Sequence, residues 1–145
     1  MITGVSAGFG RRLAALLYDA LLMAALLVIF TTAAVMLFAR TAITPETAGP
    51  WAYVYRACLL VILAGYYLLN WTRSGQTLGM RAWRLRAVTE LGTRMDWKSA
   101  ALRLPLSLLA WAPLGLGVLW LYFDAEHAAL QDRLSRTRVV LLARP

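Results

Sequence analysis

LAALLYDALLMAALLVIFTTAAVMLF, residues 13–38, is 26 residues long and carries one charge, Asp19. A helix needs roughly 20 apolar residues to cross a bilayer, so this run predicts a membrane span over about 12–38. Asp19 lies about 10 Å of helix axis from Arg12. An ionised carboxylate at that depth costs several kcal/mol, of order, unless it is paired or wetted. Arg12 and Asp19 are two helical turns apart and share a face, too far apart along the axis to pair directly. Two uses of Asp19 remain open: a proton or monovalent-cation site, or an ion pair with a basic group from elsewhere that fastens helices together. Arg81, Arg84 and Arg103 stand at the right level to serve as that partner, whereas Arg56 comes from the opposite end.

Two further apolar runs follow. Residues 52–71 include CLLVILAGYYLL, flanked by Trp51, Tyr53 and Tyr55 at one end and Asn70 and Trp71 at the other. Such aromatic flanks belong at the membrane–water interface. Residues 104–123, LPLSLLAWAPLGLGVLWLYF, carry no charge but hold Pro105, Pro113, Gly115 and Gly117. Interior proline bends or breaks a helix, so this segment is either a kinked span or two half-helices dipping in and returning. The expected fold is an all-α polytopic membrane protein: two full spans, a third kinked or re-entrant segment, and a basic cytoplasmic connection. Residues 1–145 form one domain in this reading, and the first helix acts as a retained anchor.

The connections are short. Residues 39–51 carry Arg40 and Glu46 and read as a loop; residues 73–103 hold seven basic and two acidic residues. The excess of positives near span ends places the N-terminus and the 73–103 connection of this multi-pass chain in the cytoplasm. Within that connection Leu85, Ala87 and Val88 are a short extended candidate, residues 90–93 a turn, and Trp97 to Arg103 an interfacial helix. The tail, 124–145, begins as an amphipathic helix to about Leu134 and ends in a candidate strand, Thr137 to Leu142.

Composition narrows the function. The chain is 61% hydrophobic and 15% charged, with 15 Lys and Arg against seven acids. The roughly 25% charge usual for soluble domains is absent. The basic excess suits anionic lipid headgroups better than nucleic acid. Cys58 is the single cysteine, so no intrachain disulfide or thiolate metal cluster can form. Asp124, Glu126, His127 and Asp132 lack metal-ligand spacing, and Gly75 and Gly79 lack the strand context of a phosphate loop. No cofactor, metal or enzymatic constellation is expected.

The stretches GFGRRLAALLYDALL (8–22), SGQTLGMRAWRLRAV (74–88), RLPLSLL (103–109) and LYFDAEHAALQDRLSRTRVV (121–140) resemble, in order, the RDD family of small bacterial membrane proteins. The resemblance places the family's arginine on Arg12 and its two aspartates on Asp19 and Asp132. The Gly-x-Thr-Leu-Gly stretch falls on Gly75, Gln76, Thr77, Leu78 and Gly79. Gln131 stands where the family usually has histidine, and Met80 where a basic residue is common. The resemblance implies transport of unidentified ligands or sodium/proton exchange, with Arg12, Asp19 and Asp132 in one site. A returning third segment would bring Asp132 to the side of Asp19. Exchange by so few spans implies a homo-oligomer. The alternative is a non-transporting adaptor or assembly protein with a structural Arg/Asp network.

The orientation is testable by thiol labelling. In a Cys58→Ala background, single cysteines placed in 39–51 should react with an impermeant reagent in intact cells. Those placed in 90–94 should react only after permeabilisation.

Overall fold

The structure, a computed structural model, describes residues 5–39, 42–113, 115–124 and 128–142. Arg40, Glu126 and His127 lie outside the described residues. Helix α1 spans Phe9–Ala34 and continues as a π-helical turn, Val35–Ala39. A four-residue helix α2, Pro45–Ala48, precedes α3, Trp51–Arg73. The short α4, Leu78–Ala82, leads to strand β1, Leu85–Thr89. Helix α5, Trp97–Trp111, is followed by α6, Leu116–Leu119, and a 3-10 turn, Trp120–Tyr122. The chain closes with α7, Leu130–Leu134, and β2, Thr137–Leu141.

Phe9–Leu37 and Trp51–Arg73 are long and apolar enough to cross a membrane, and only 6% of each most apolar stretch is buried within the protein. Leu21, Val28 and Ile29 on α1 and Leu60 and Val61 on α3 are exposed. Exposed apolar surface on that scale is stable against lipid, not water. The third apolar segment is a bent pair, α5 against Leu116–Tyr122, at 102°. Pro105 sits inside α5 without ending it; the turn falls at Gly115, with φ +80. A Cβ on Gly117 would lie 2.7 Å from Ala110 Cα, so glycine permits the close return of the second arm. The bent pair is the kinked or re-entrant third segment expected from the sequence.

The residues group into two compact units, Met1–Asp19 with Tyr66–Pro145, and Ala20–Gly65. In the Ala20–Gly65 unit, Phe30 stacks on Tyr55 at 6.2 Å, and the Thr31 and Tyr55 hydroxyls are hydrogen-bonded at 2.6 Å. Thr31 also donates to its own helix at Leu27 O, 2.7 Å. The expected loop at 39–51 contains α2, started by a Thr44–Thr47 capping box with Pro45 in the first turn.

In the other unit, β1 and β2 pair antiparallel from Leu85↔Leu141 to Thr89↔Thr137. Ser6 bridges Val140 on the free edge of β2, and Gly75 O accepts from Ala87 N at 2.8 Å on the edge of β1. Both edges of the ribbon are thereby occupied. Leu85, Ala87 and Val139 join Ala7, Ala15, Trp71, Met80, Met95 and Ala100 in one apolar cluster. Ala110, Val118, Leu121 and Ala129 form a second, capped by Phe9 and Trp111.

One sequence expectation fails in the tail: the helix begins at Leu130, not at 124. The Asp124 carboxylate instead accepts from Ala128 N at 2.9 Å and Arg133 Nε at 2.6 Å, and Ala129 is extended, with ψ 158.

The two helix glycines give a contrasting pair. Gly117→Ala should lower the Tm in detergent, because Ala110 must move. Gly65→Ala, with open space at its Cβ, should leave the Tm unchanged or raise it.

Candidate functional site

Two buried carboxylates organise the unit that contains Arg12, and each is held differently. Arg12 and Asp19 project from the same face of α1 and are 6% and 3% exposed. Asp19 accepts three hydrogen bonds from neutral donors. Thr77 Oγ1 reaches Oδ2 at 2.5 Å, Gly79 N reaches Oδ1 at 2.8 Å, and Tyr66 OH reaches Oδ1 at 2.6 Å. Thr77 also caps α4 by accepting from Met80 N at 3.2 Å, and Tyr66 OH accepts from Leu78 N at 3.2 Å. One hydroxyl therefore starts α4 while binding the carboxylate of α1.

Close approach is what makes this contact possible. A Cβ at position 79 would fall 2.2 Å from Ala15 O and 2.9 Å from Asp19 Cγ. Only glycine lets the α4 backbone lie on α1. Gly75, with φ +71, has Ala87 O at 2.7 Å from its would-be Cβ, and Gln76 Nε2 donates to Leu85 O at 2.6 Å. The Gly75–Gly79 stretch thus ties the end of α3 to β1 at one end and to Asp19 at the other.

Asp132 lies between two guanidinium groups. Arg12 Nη1 stands 2.6 Å from Oδ2 and Arg103 Nη2 2.7 Å from Oδ1, with Asp132 fully buried. Arg12 Nε also donates to Ala7 O at 2.8 Å. Arg103 donates to Thr137 Oγ1 and lies over the Trp71 ring at 5.5 Å. Burial alone would push the Asp132 carboxyl up, but Arg103 and then Arg12 outweigh it and hold the carboxyl below its ordinary range.

The residues singled out in the sequence are therefore divided. Thr77, Gly79 and Asp19 meet directly; Gln76 and Gly75 support them through β1. Arg12, Arg103 and Asp132 form a separate ion-pair cluster. Arg103, a candidate partner for Asp19, reaches Asp132 instead, because α5 carries it to α7 rather than to α4. Arg81 is exposed and joins neither group. The two aspartates share α1 as a common partner, one through Asp19 itself and the other through Arg12, but not one constellation. Thr137 has no site role in the sequence reading, and Trp71 is an interfacial flank there. Tyr66 sits in an apolar run where a tyrosine reads equally as an interfacial anchor. Asp124, grouped with Asp132 in the sequence, pairs with Arg133. Among the described residues no group of three His, Cys, Asp or Glu could hold a metal ion.

The family model described as RDD family matches residues 6–136, most of the chain. No curated protein and no solved structure matches.

The geometry fixes the response to charge removal. Asp132→Asn leaves two buried guanidinium groups without their carboxylate and should cost about 3–5 kcal/mol, read from unfolding in detergent. With its folded value depressed, Asp132 stabilises fully above the ordinary carboxylate value of 3.8 and loses that contribution as pH falls through the lower folded value. Acid below that range should loosen the wild type more than Asp132→Asn.

Proposed function

Taking the chain as what the match over residues 6–136 makes it, a member of the RDD family, we propose that it is a membrane adaptor or assembly protein whose arginines and aspartates form a structural network. The observation that carries this reading is that both oxygens of Asp19 accept hydrogen bonds from the protein and both oxygens of Asp132 lie against arginine nitrogens. A site built to exchange its occupant keeps a position for it. Here α1 is fastened to α4 through Asp19 and to α5 and α7 through Arg12. The network holds together the unit that contains the start of α1 and the end of α3. That unit exposes Arg11, Arg73, Arg81, Arg94 and Lys98, a basic surface suited to anionic headgroups or an acidic partner. The same reading puts the unit and the N-terminus in the cytoplasm of a cell whose inner membrane holds the spans, and it involves no catalysis.

A second reading is favoured by one feature. Among the described residues Asp19 forms no ion pair, and its donors there are two hydroxyls and an amide. A buried carboxylate without a counter-ion can take a proton or a monovalent cation. In that reading Asp19 exchanges the two, within a homo-oligomer that encloses the path.

Proteoliposomes under a proton gradient separate the readings. The structural reading expects no gradient-driven cation flux from the wild type and a reduced folded yield of Asp19→Asn. Flux in the wild type that disappears in a fully folded Asp19→Asn would overturn it.

A further inference from the structure

The contacts of the bent pair fix its level along helix α1. Trp111, the last residue of α5, stands 5.8 Å from Phe9 between ring centroids. A Cβ on Gly115, at the bend itself, would meet Phe9 Cε2 at 3.3 Å. Phe9 also covers the cluster of Ala110, Val118, Leu121 and Ala129, which joins the two arms. Phe9 is the first residue of the Phe9–Leu37 span. In the middle of α5, Arg103 is tied through Asp132 to Arg12, about one turn further along α1. The bend is therefore level with the start of the span. Asp19, about 15 Å of helix axis beyond Phe9, takes its donors from α3 and the start of α4 instead.

Both arms bury one side and expose the other. Ala100, Arg103 and Ala110 on α5, and Val118 and Leu121 past the bend, are buried. Leu102, Leu108, Leu109, Leu116, Trp120 and Phe123 are 49% to 85% exposed. Arg103 is the one charged residue between 101 and 123, and it is spent on Asp132, so the exposed side is apolar along both arms. An apolar face of that extent is not stable against water. Its edges carry interfacial residues: Trp97 and Lys98 are exposed at the start of α5, Trp120 and Tyr122 after the bend. Tryptophan and tyrosine settle at the headgroup boundary, and a lysine there keeps its ammonium in water. The same unit contains part of each span, with Leu17 on α1 and Leu69 on α3 exposed in the same way, so acyl chains already form its surroundings.

We propose that the exposed face of residues 97–123 lies on the acyl chains of the leaflet in which α1 starts and remains within that leaflet. The third apolar segment is then a one-sided membrane seat, shallow at its bend, and α7 and β2 follow it on the side where α1 begins. The chemistry is burial of leucine and aromatic side chains in hydrocarbon just below the headgroups, the mode of an interfacial helix. This placement is independent of whether Asp19 exchanges a cation.

Depth measurement on the full-length protein in phosphatidylcholine–phosphatidylglycerol vesicles tests it. In a Cys58→Ala background, spin labels are attached at Leu109→Cys and Leu116→Cys, one on each arm. Val28→Cys in the α1 span and Leu91→Cys in the 90–93 turn serve as references. The labels at 109 and 116 should collide more with oxygen, which concentrates in hydrocarbon, than with a water-soluble nickel chelate. Their depth should be less than that of the label at 28. Three results would overturn the proposal: nickel-dominated collision as at 91, a depth equal to that at 28, or spin–spin broadening that unlabelled protein dilutes away, which means a second copy covers the face. A measurement without labels decides if a labelled variant does not fold. Lipid brominated near the headgroup end of its chains should quench tryptophan fluorescence less in Trp120→Phe than in the wild type, and equal quenching sinks the idea. Neither measurement bears on cation flux, so the two readings fail separately.

Discussion

A single carboxylate, Asp132, gripped from both sides by Arg12 and Arg103, is the contact on which the unit of Met1–Asp19 and Tyr66–Pro145 depends. Removing three charges from water is expensive, and the attraction repays it only where geometry is tight and spare donors are used. Arg12 spends its Nε on Ala7 O, and Arg103 spends another donor on Thr137 and rests on Trp71, while Arg12 Nη2 and Arg103 Nε are buried without an acceptor among the described residues. The cluster thereby joins the start of α1, the middle of α5, α7 and β2. These segments lie far apart in sequence.

Asp19 completes the arrangement by different means. It needs no cation because α4 brings it an amide and a hydroxyl, and α3 a second hydroxyl. Glycine at 79 is the condition for that approach, so a residue with no side chain is as necessary as the charge it serves. Stability here comes from polar contacts made dry, while the bulk of α1 and α3 leaves its apolar surface to lipid.

The parts legible in the sequence were those governed by local physics. Apolar run length placed α1 and α3 to within a few residues, and glycine and proline at 113–117 announced the return of the third segment. The extended pieces at 85–88 and 137–142 were also visible, but not their pairing with each other. That pairing spans more than fifty residues and is set by which faces share a core. Partner choice was hidden for the same reason. Arg103 and Arg81 looked alike as basic residues near a span end, and only the direction of α5 separates them. The tail helix was overextended because periodicity cannot foresee that Asp124 will bond Ala128 and Arg133.

Residues 77–89 and 129–141 share one backbone course, a short helix, a left-handed arginine and a strand, and their strands pair about Ala87↔Val139; this local two-fold has a consequence for helix α1. A perfectly symmetric pair of halves would accept a helix touching both of them equally well in either of two opposed directions. The halves are not alike where they touch α1. Position 79 is a glycine offering an amide to a carboxylate, while position 132, one place beyond the counterpart of Gly79, is an aspartate offering a carboxylate to a guanidinium. Helix α1 carries the complementary order, cation first and anion second. Divergence of the two halves in charge thus gives a near-symmetric socket a polarity, and only one direction of insertion satisfies both ends.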